Sequence, residues 1–248
     1  MRVNVYVDGF NLYRGGAEIA GRSTVGWKWL DMRSMAGAIA ADEWPNEAHS
    51  IERLVYCTAR VNPTPMDPDL PKRQETFINA LRASGSADWI EYGLFLDKVK
   101  TRPLALRGRG KKKKPVLVTS APPVVVKDAN DQPVQNAVFM VTVADREEKG
   151  SDVNVATHLL LDALQTPAAM DAAIVISNDS DLKLPVAHAR LRMPLGIVNP
   201  GRGYTAGALH HDPATDVPGQ WERQLTFADF SAHQLPDPVG AYAKPAGW

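Results

Sequence analysis

The feature that most limits what this chain can fold into is its alternation of short β-rich apolar runs with stretches of helical apolar spacing. Val3, Val5 and Val7 alternate with Asn4 and Tyr6 in a run that stops at Asp8-Gly9, a strand ending in a turn. Asn11 is then placed to cap a helix reaching about Ala20. Met32, Met35, Ala36 and Ile39 share one face of a second helix over 31–41, and 53–61 reads as a strand. After the Pro-rich turn 62–71, Phe77, Ile78 and Leu81 give 72–83 helical spacing, and 89–96 is strand-like again. The order returns as helix 151–164, strand 172–177, helix 182–191 and strand 194–198. Such alternation predicts an α/β fold, a mainly parallel sheet flanked by helices on both faces.

Residues 98–146 interrupt this order. The segment opens KVKTRPLALRGRGKKKKP and continues in Val-rich runs at 115–119, 124–127 and 137–144. Turn-forming residues at 128–133 predict a basic, β-rich hairpin insertion within one domain of residues 1–200. Residues 201–248 are rich in Gly, Pro and His and read as a C-terminal extension packed on or near that domain, with 225–230 as a closing helix or turn. Whether His210 and His211 fold over the remainder is left open by the sequence.

With 28 basic and 28 acidic residues, attraction of the whole molecule to nucleic acid or membrane is not implied, although local asymmetry can still matter. The single cysteine, Cys57, lies in an apolar run and reads as a buried free thiol, which excludes a disulfide framework within one chain. An acidic residue at position 8 comes too early for a signal peptide, and no apolar run reaches membrane-spanning length. A cytoplasmic protein with no membrane partner is expected.

Functional groups in an open parallel sheet gather beyond the carboxyl ends of its strands. Asp8 follows the first strand, Asp179 and Asp181 follow the apolar run 172–176, and Asp152 falls in the first turn of the helix beginning at 151. Taken singly, each has an ordinary reading: a turn dipeptide at Asp8-Gly9, a helix-dipole acid at Asp152, an N-cap with a surface acid at 179–181. Taken together, they predict an acidic pocket that needs a compensating cation. All-oxygen ligands with room for water suit Mg²⁺ or Mn²⁺.

VDGFNLY at 7–13, EKGSDV at 148–153 and VISNDSDL at 175–182 resemble, in that order, the signature segments of the NYN-domain family of the PIN-like nuclease superfamily. The resemblance covers roughly residues 1–200 without the basic insertion. It implies a PIN-like, Rossmann-like three-layer sandwich and a metal-dependent endoribonuclease that uses water to hydrolyse RNA phosphodiester bonds. It also implies that Asp8, Asp152, Asp179 and Asp181 hold the metal directly or through water, that Asn11 orients a ligand or water, and that Lys149 contacts phosphate. Ser177 and Asn178 would shape the turn. Two positions depart from the family pattern. His158 stands where another acid is usual, and it reads either as a metal or proton partner or as an inward histidine satisfied by a neighbour, with Asp162 one turn on as a substitute acid. Leu182 replaces the usual aromatic, a change in packing.

Lys98, Lys100, Arg102, Arg107, Arg109, Lys111, Lys112, Lys113 and Lys114 form one strongly basic stretch. Beside a nuclease site it reads as a contact for single-stranded or structured RNA; elsewhere it would be a solvated loop. Without interleaved aromatics it predicts attraction to the backbone and no reading of sequence. The competing function is an RNA-binding regulatory module, which a homodimer would also suit, with a degenerate site and little turnover. A haloacid-dehalogenase type phosphatase wants a second aspartate where Phe10 stands, and no Gly-rich loop ends in Gly-Lys-Ser/Thr.

Overall fold

The computed structural model describes residues 1–106, 114–118, 127–134, 138–166, 168 and 170–248. The elements run β1 (Arg2–Asp8), α1 (Gly9–Ala20), α2 (Met32–Glu43), β2 (Ser50–Ala59), α3 (Leu70–Ser84), β3 (Trp89–Pro103), β4 (Ala105–Leu106), β5 (Val116–Leu117), β6 (Met140–Lys149), α4 (Ser151–Ala163), β7 (Ala172–Ile176), α5 (Lys183–Arg190), β8 (Leu195–Asn199), β9 (Trp221–Gln224) and α6 (Phe227–Ala232). A seven-stranded sheet has the order β6-β3-β2-β1-β7-β8-β9, and β4 pairs with β5 separately. Every pairing from β3 through β9 is parallel. Among the described residues no helix is long and apolar enough to cross a membrane.

β1 is the pivot of this order. Its neighbours β2 and β3 are laid outward on one side, whereas β7, β8 and β9 are laid outward on the other. The chain therefore reverses direction across the sheet between β1 and β7, the switch point beyond whose strand ends open parallel sheets commonly place their functional groups. Alternation in β1 assigns its two faces: Val3, Val5 and Val7 enter one core with α1, α2 and α6, while Tyr6 enters the other with Val155, Leu159 and Val186 of α4 and α5. Crossovers that proceed in opposite directions along a sheet place their helices on opposite faces, because both are right-handed.

Two compact units emerge, residues 1–95 with 148–248, and residues 96–147. In the first, the C-terminal segment supplies β9 as a seventh strand, so it is built into the sheet and is more than the packed extension predicted. Trp221 makes this strand stable without a β-rich sequence: its ring fills the space a side chain at Gly196 would need, where an added Cβ would lie 2.1 Å from the ring, and it stacks edge-on against Trp44 at 5.2 Å.

In the second unit, the hairpin differs from the predicted one. Leu104 donates to the Phe139 carbonyl at 2.7 Å and the Thr101 and Thr142 hydroxyls meet at 3.2 Å, so β6 runs antiparallel to β3. The turn at 128–132 does form, closed by Asp128 N–H to the Gln132 carbonyl at 2.8 Å. The predicted run 124–127 lies, apart from Lys127, outside the described residues.

Candidate functional site

Asp8 ends the central strand and is buried, 5% exposed. In the parallel register it lies opposite Cys57, which in turn lies opposite Glu91, so one face of the sheet carries the lateral row Glu91, Cys57, Asp8. Ser177, just past β7, continues the row by donating its hydroxyl to Asp8 Oδ2 at 3.3 Å. The Asn11 N–H donates to Asp8 Oδ1 at 3.0 Å, which makes Asp8 the cap of α1, not Asn11 as predicted. Burial pushes the Asp8 carboxyl up to about 6. Its two donors oppose that rise, while Glu148 and Asp179 add to it. Burial also raises the Cys57 thiol, with Asp8, Glu91 and Glu148 contributing; Cys57 is a free, buried thiol, as its apolar run predicted.

The turn after β7 is tied down on every side. Ser177 Oγ accepts from Asp179 N–H at 3.2 Å, and Asn178 N–H donates to Asn11 Oδ1 at 3.0 Å. Asn11 thus fastens the first turn of α1 to the turn after β7. Asp179 caps the 3-10 turn Ser180–Leu182 by accepting from Asp181 N–H at 3.0 Å. Asp181 itself is exposed and Leu182 is buried in the core.

The third acidic segment enters at the end of β6. Glu148 Oε1 accepts from Ser151 N–H at 3.1 Å and from Ser151 Oγ at 2.7 Å, and Gly150 turns the chain with φ of 97°. Asp152 follows in the first turn of α4, half-buried. Lys149 is exposed at the end of β6. Glu148 is the residue that sequence reasoning passed over. It stood in the quoted EKGSDV, but which acid of a charged run faces inward depends on strand register, which the run does not encode.

His158 belongs to a separate polar network. Arg53 Nη2 lies 3.2 Å from His158 Nδ1; a guanidinium can only donate, so Nδ1 accepts and Nε2 carries the proton toward Glu91 Oε2 at 3.4 Å. Arg53 Nη1 pairs with Asp162 at 2.6 Å, and Asp162 also accepts from the Tyr6 hydroxyl at 2.7 Å and from Asn4 Nδ2 at 3.1 Å. Asp162 is therefore taken up by Arg53, Tyr6 and Asn4 and does not stand in for the acid missing at position 158. Of the two readings of His158, the inward histidine satisfied by its neighbours is the one found.

The basic stretch is described only in part: Arg107, Arg109, Lys111, Lys112 and Lys113 lie outside the described residues. Lys98, Arg102 and Lys114 are exposed. Lys100 pairs with Asp145 at 2.6 Å and with Glu147, which offsets its charge locally.

Among the described residues, no three His, Cys, Asp or Glu side chains stand together as a group that could hold a metal ion. A closed protein cage around one ion is thus absent there. What remains is a buried carboxylate under the field of two others, Glu148 and Asp179. A hard divalent cation that keeps several waters and uses one or two carboxylates needs no such cage.

No family model matches the chain, and no curated protein matches it. Among solved structures it is similar to a protein of unknown function from Vibrio parahaemolyticus at 13% identity, covering 90% of this chain and 91% of that chain, with a TM-score of 0.44.

Proposed function

We propose that this chain is a metal-dependent endoribonuclease of PIN-like topology, hydrolysing RNA phosphodiester bonds at the crevice between β1 and β7 with Mg²⁺ or Mn²⁺. The observation that carries this reading is Asp8, a buried carboxyl at the carboxyl end of the central strand, acted on by Glu148 and Asp179 from two distant segments. Residues of VDGFNLY, EKGSDV and VISNDSDL, far apart in the chain, bear on one carboxylate.

Asp8 and Asp179 would hold the ion, with Glu148, Asp152 and Asp181 acting through water. When bound, Mg²⁺ or Mn²⁺ activates a water and neutralises charge on the phosphate. Ser177 and the Asn11 N–H hold the Asp8 carboxylate in one orientation, and the Asn11–Asn178 bond ties the start of α1 to the turn after β7. Such prior ordering spares the reacting complex a reorganisation cost.

Purified protein incubated with labelled single-stranded and structured RNA should cut internally with Mg²⁺ or Mn²⁺ and stop with chelator. Asp8→Asn and Asp179→Asn should each lower the rate by about 100-fold or more, the scale of lost electrostatic stabilisation at a polar site. Full activity in both variants contradicts the reading. The absence of a three-residue cage among the described residues favours a second one, an RNA-binding regulatory module with little turnover. RNA bound by wild-type protein without product would select it.

A further inference from the structure

The loop that follows β8, residues 200–206, has no regular secondary structure, yet it is braced from four places. Buried Asn199 accepts from Gly201 N–H at 3.0 Å and donates to the Gly203 carbonyl at 2.7 Å. From β9, Gln224 Nε2 donates to the Gly201 and Gly203 carbonyls at 2.6 and 2.9 Å. Against α1 the loop sits backbone to backbone, because a Cβ at Gly15 would lie 2.2 Å from the Pro200 carbonyl oxygen. Asn178 closes the bracket, donating to the Tyr204 carbonyl at 3.1 Å and accepting from Ala206 N–H at 2.7 Å.

This bracing presents one side chain. Tyr204 is 99% exposed, on a backbone bonded to the residue immediately before Asp179. A protein-binding hot spot sits within a contiguous apolar patch, whereas the flanking residues here are Gly201, Arg202, Gly203 and Thr205. A nucleobase needs only an aromatic face. Arg202 adds a positive charge at the surface, with its Nη2 donating to the Ile19 carbonyl at 2.9 Å, suited to a phosphate of the same strand.

We infer that Tyr204 is a stacking platform for an unpaired base of a single-stranded RNA whose backbone enters the Asp8 crevice. The inference rests on the ribonuclease reading and specifies its substrate as single-stranded at this position. Because the loop is already ordered by its bonds, the ring is offered with little ordering cost on binding.

The test measures binding of a fluorescein-labelled oligoribonucleotide of about ten nucleotides, a length within the usual single-strand site size, to Asp8→Asn protein so that no cleavage intervenes. The same strand annealed to its complement is measured alongside. Adding Tyr204→Ala should weaken single-strand binding about 5- to 100-fold, as loss of one stacked base does, with duplex binding unchanged. Tyr204→Phe should restore single-strand binding, since the ring face is kept. Equal affinity of the alanine variant for single strands overturns the inference while leaving the ribonuclease reading intact, as does an equal loss for both strands. A change of sedimentation on Tyr204→Ala, with RNA binding unaltered, overturns it in favour of a contact with a second copy. Wild-type protein that neither binds nor cuts either RNA with Mg²⁺ or Mn²⁺ present overturns the ribonuclease reading itself, and this inference with it.

Discussion

At the scale of single residues, Asp8 makes the molecule less stable than it could be. Its carboxyl titrates near 6 when folded against an ordinary value of 3.8. Between about pH 4 and pH 6 the folded chain keeps a proton that the unfolded chain has released, so stability falls as pH rises through that window; the loss is complete above about pH 6 and absent below about pH 4. Asp8→Asn removes the charge, and the new amide can still accept from Asn11 N–H and donate to Ser177 Oγ. Chemical denaturation at neutral pH should show the variant about 1–3 kcal/mol more stable, with the gain fading as pH falls toward 4. A variant less stable at neutral pH would contradict the placement of this charge. Asp8 and Asp179 were legible in the sequence because each stands where an apolar β run ends. Glu148 was not, since choosing among the acids of 145–148 requires the register of a strand that no local pattern fixes.

At the scale of elements, the polar network under α4 is structural. Asp162 is buried and joins Arg53, Tyr6 and Asn4 across β1, β2 and α4. Asp162→Ala leaves Arg53 without its partner beneath a helix, and should cost about 2–4 kcal/mol, below the full value for a buried pair because Arg53 is partly exposed. His158→Gln should leave RNA cleavage within about twofold of wild type, because its ring is engaged by Arg53 and Glu91 and its change touches no group that orients Asp8. A rate loss as large as that of Asp8→Asn would return His158 to the site. Gly15→Ala drives a methyl group into the Pro200 backbone and should destabilise by about 1–3 kcal/mol, read as a lowered melting temperature. The strands and helices flanking β1 were legible from periodicity. β9 was not, because Trp-Glu-Arg-Gln carries no alternation and becomes a strand only when Trp221 covers Gly196. Nor was the partner of β6, since long antiparallel pairing is a tertiary choice among several Val-rich runs.

At the scale of the whole molecule, the order β6-β3-β2-β1-β7-β8-β9 sets Asp8 and the turn carrying Asp179 at the ends of adjacent strands, where the order reverses. On the proposed reading, a cation bound there would compete with a proton on Asp8. Thermal stability should therefore rise with added Mg²⁺ or Mn²⁺ at pH 7, and the shift should shrink as pH falls through about 6, where Asp8 takes up its proton. The same salts should leave Asp8→Asn unmoved. The general plan of a parallel α/β sheet followed from alternation alone, and the position of its acidic edge followed from the strand ends. The seating of the loop at 200–206 beside that edge did not, because it depends on side-chain brackets from Asn178, Asn199 and Gln224 that are distant in sequence. The most direct measurement is anomalous diffraction from crystals grown with Mn²⁺. The account predicts an anomalous peak within coordinating distance of Asp8 and Asp179, and ordered Asp8 and Asp179 carboxylates with no peak between them at saturating Mn²⁺ would contradict it.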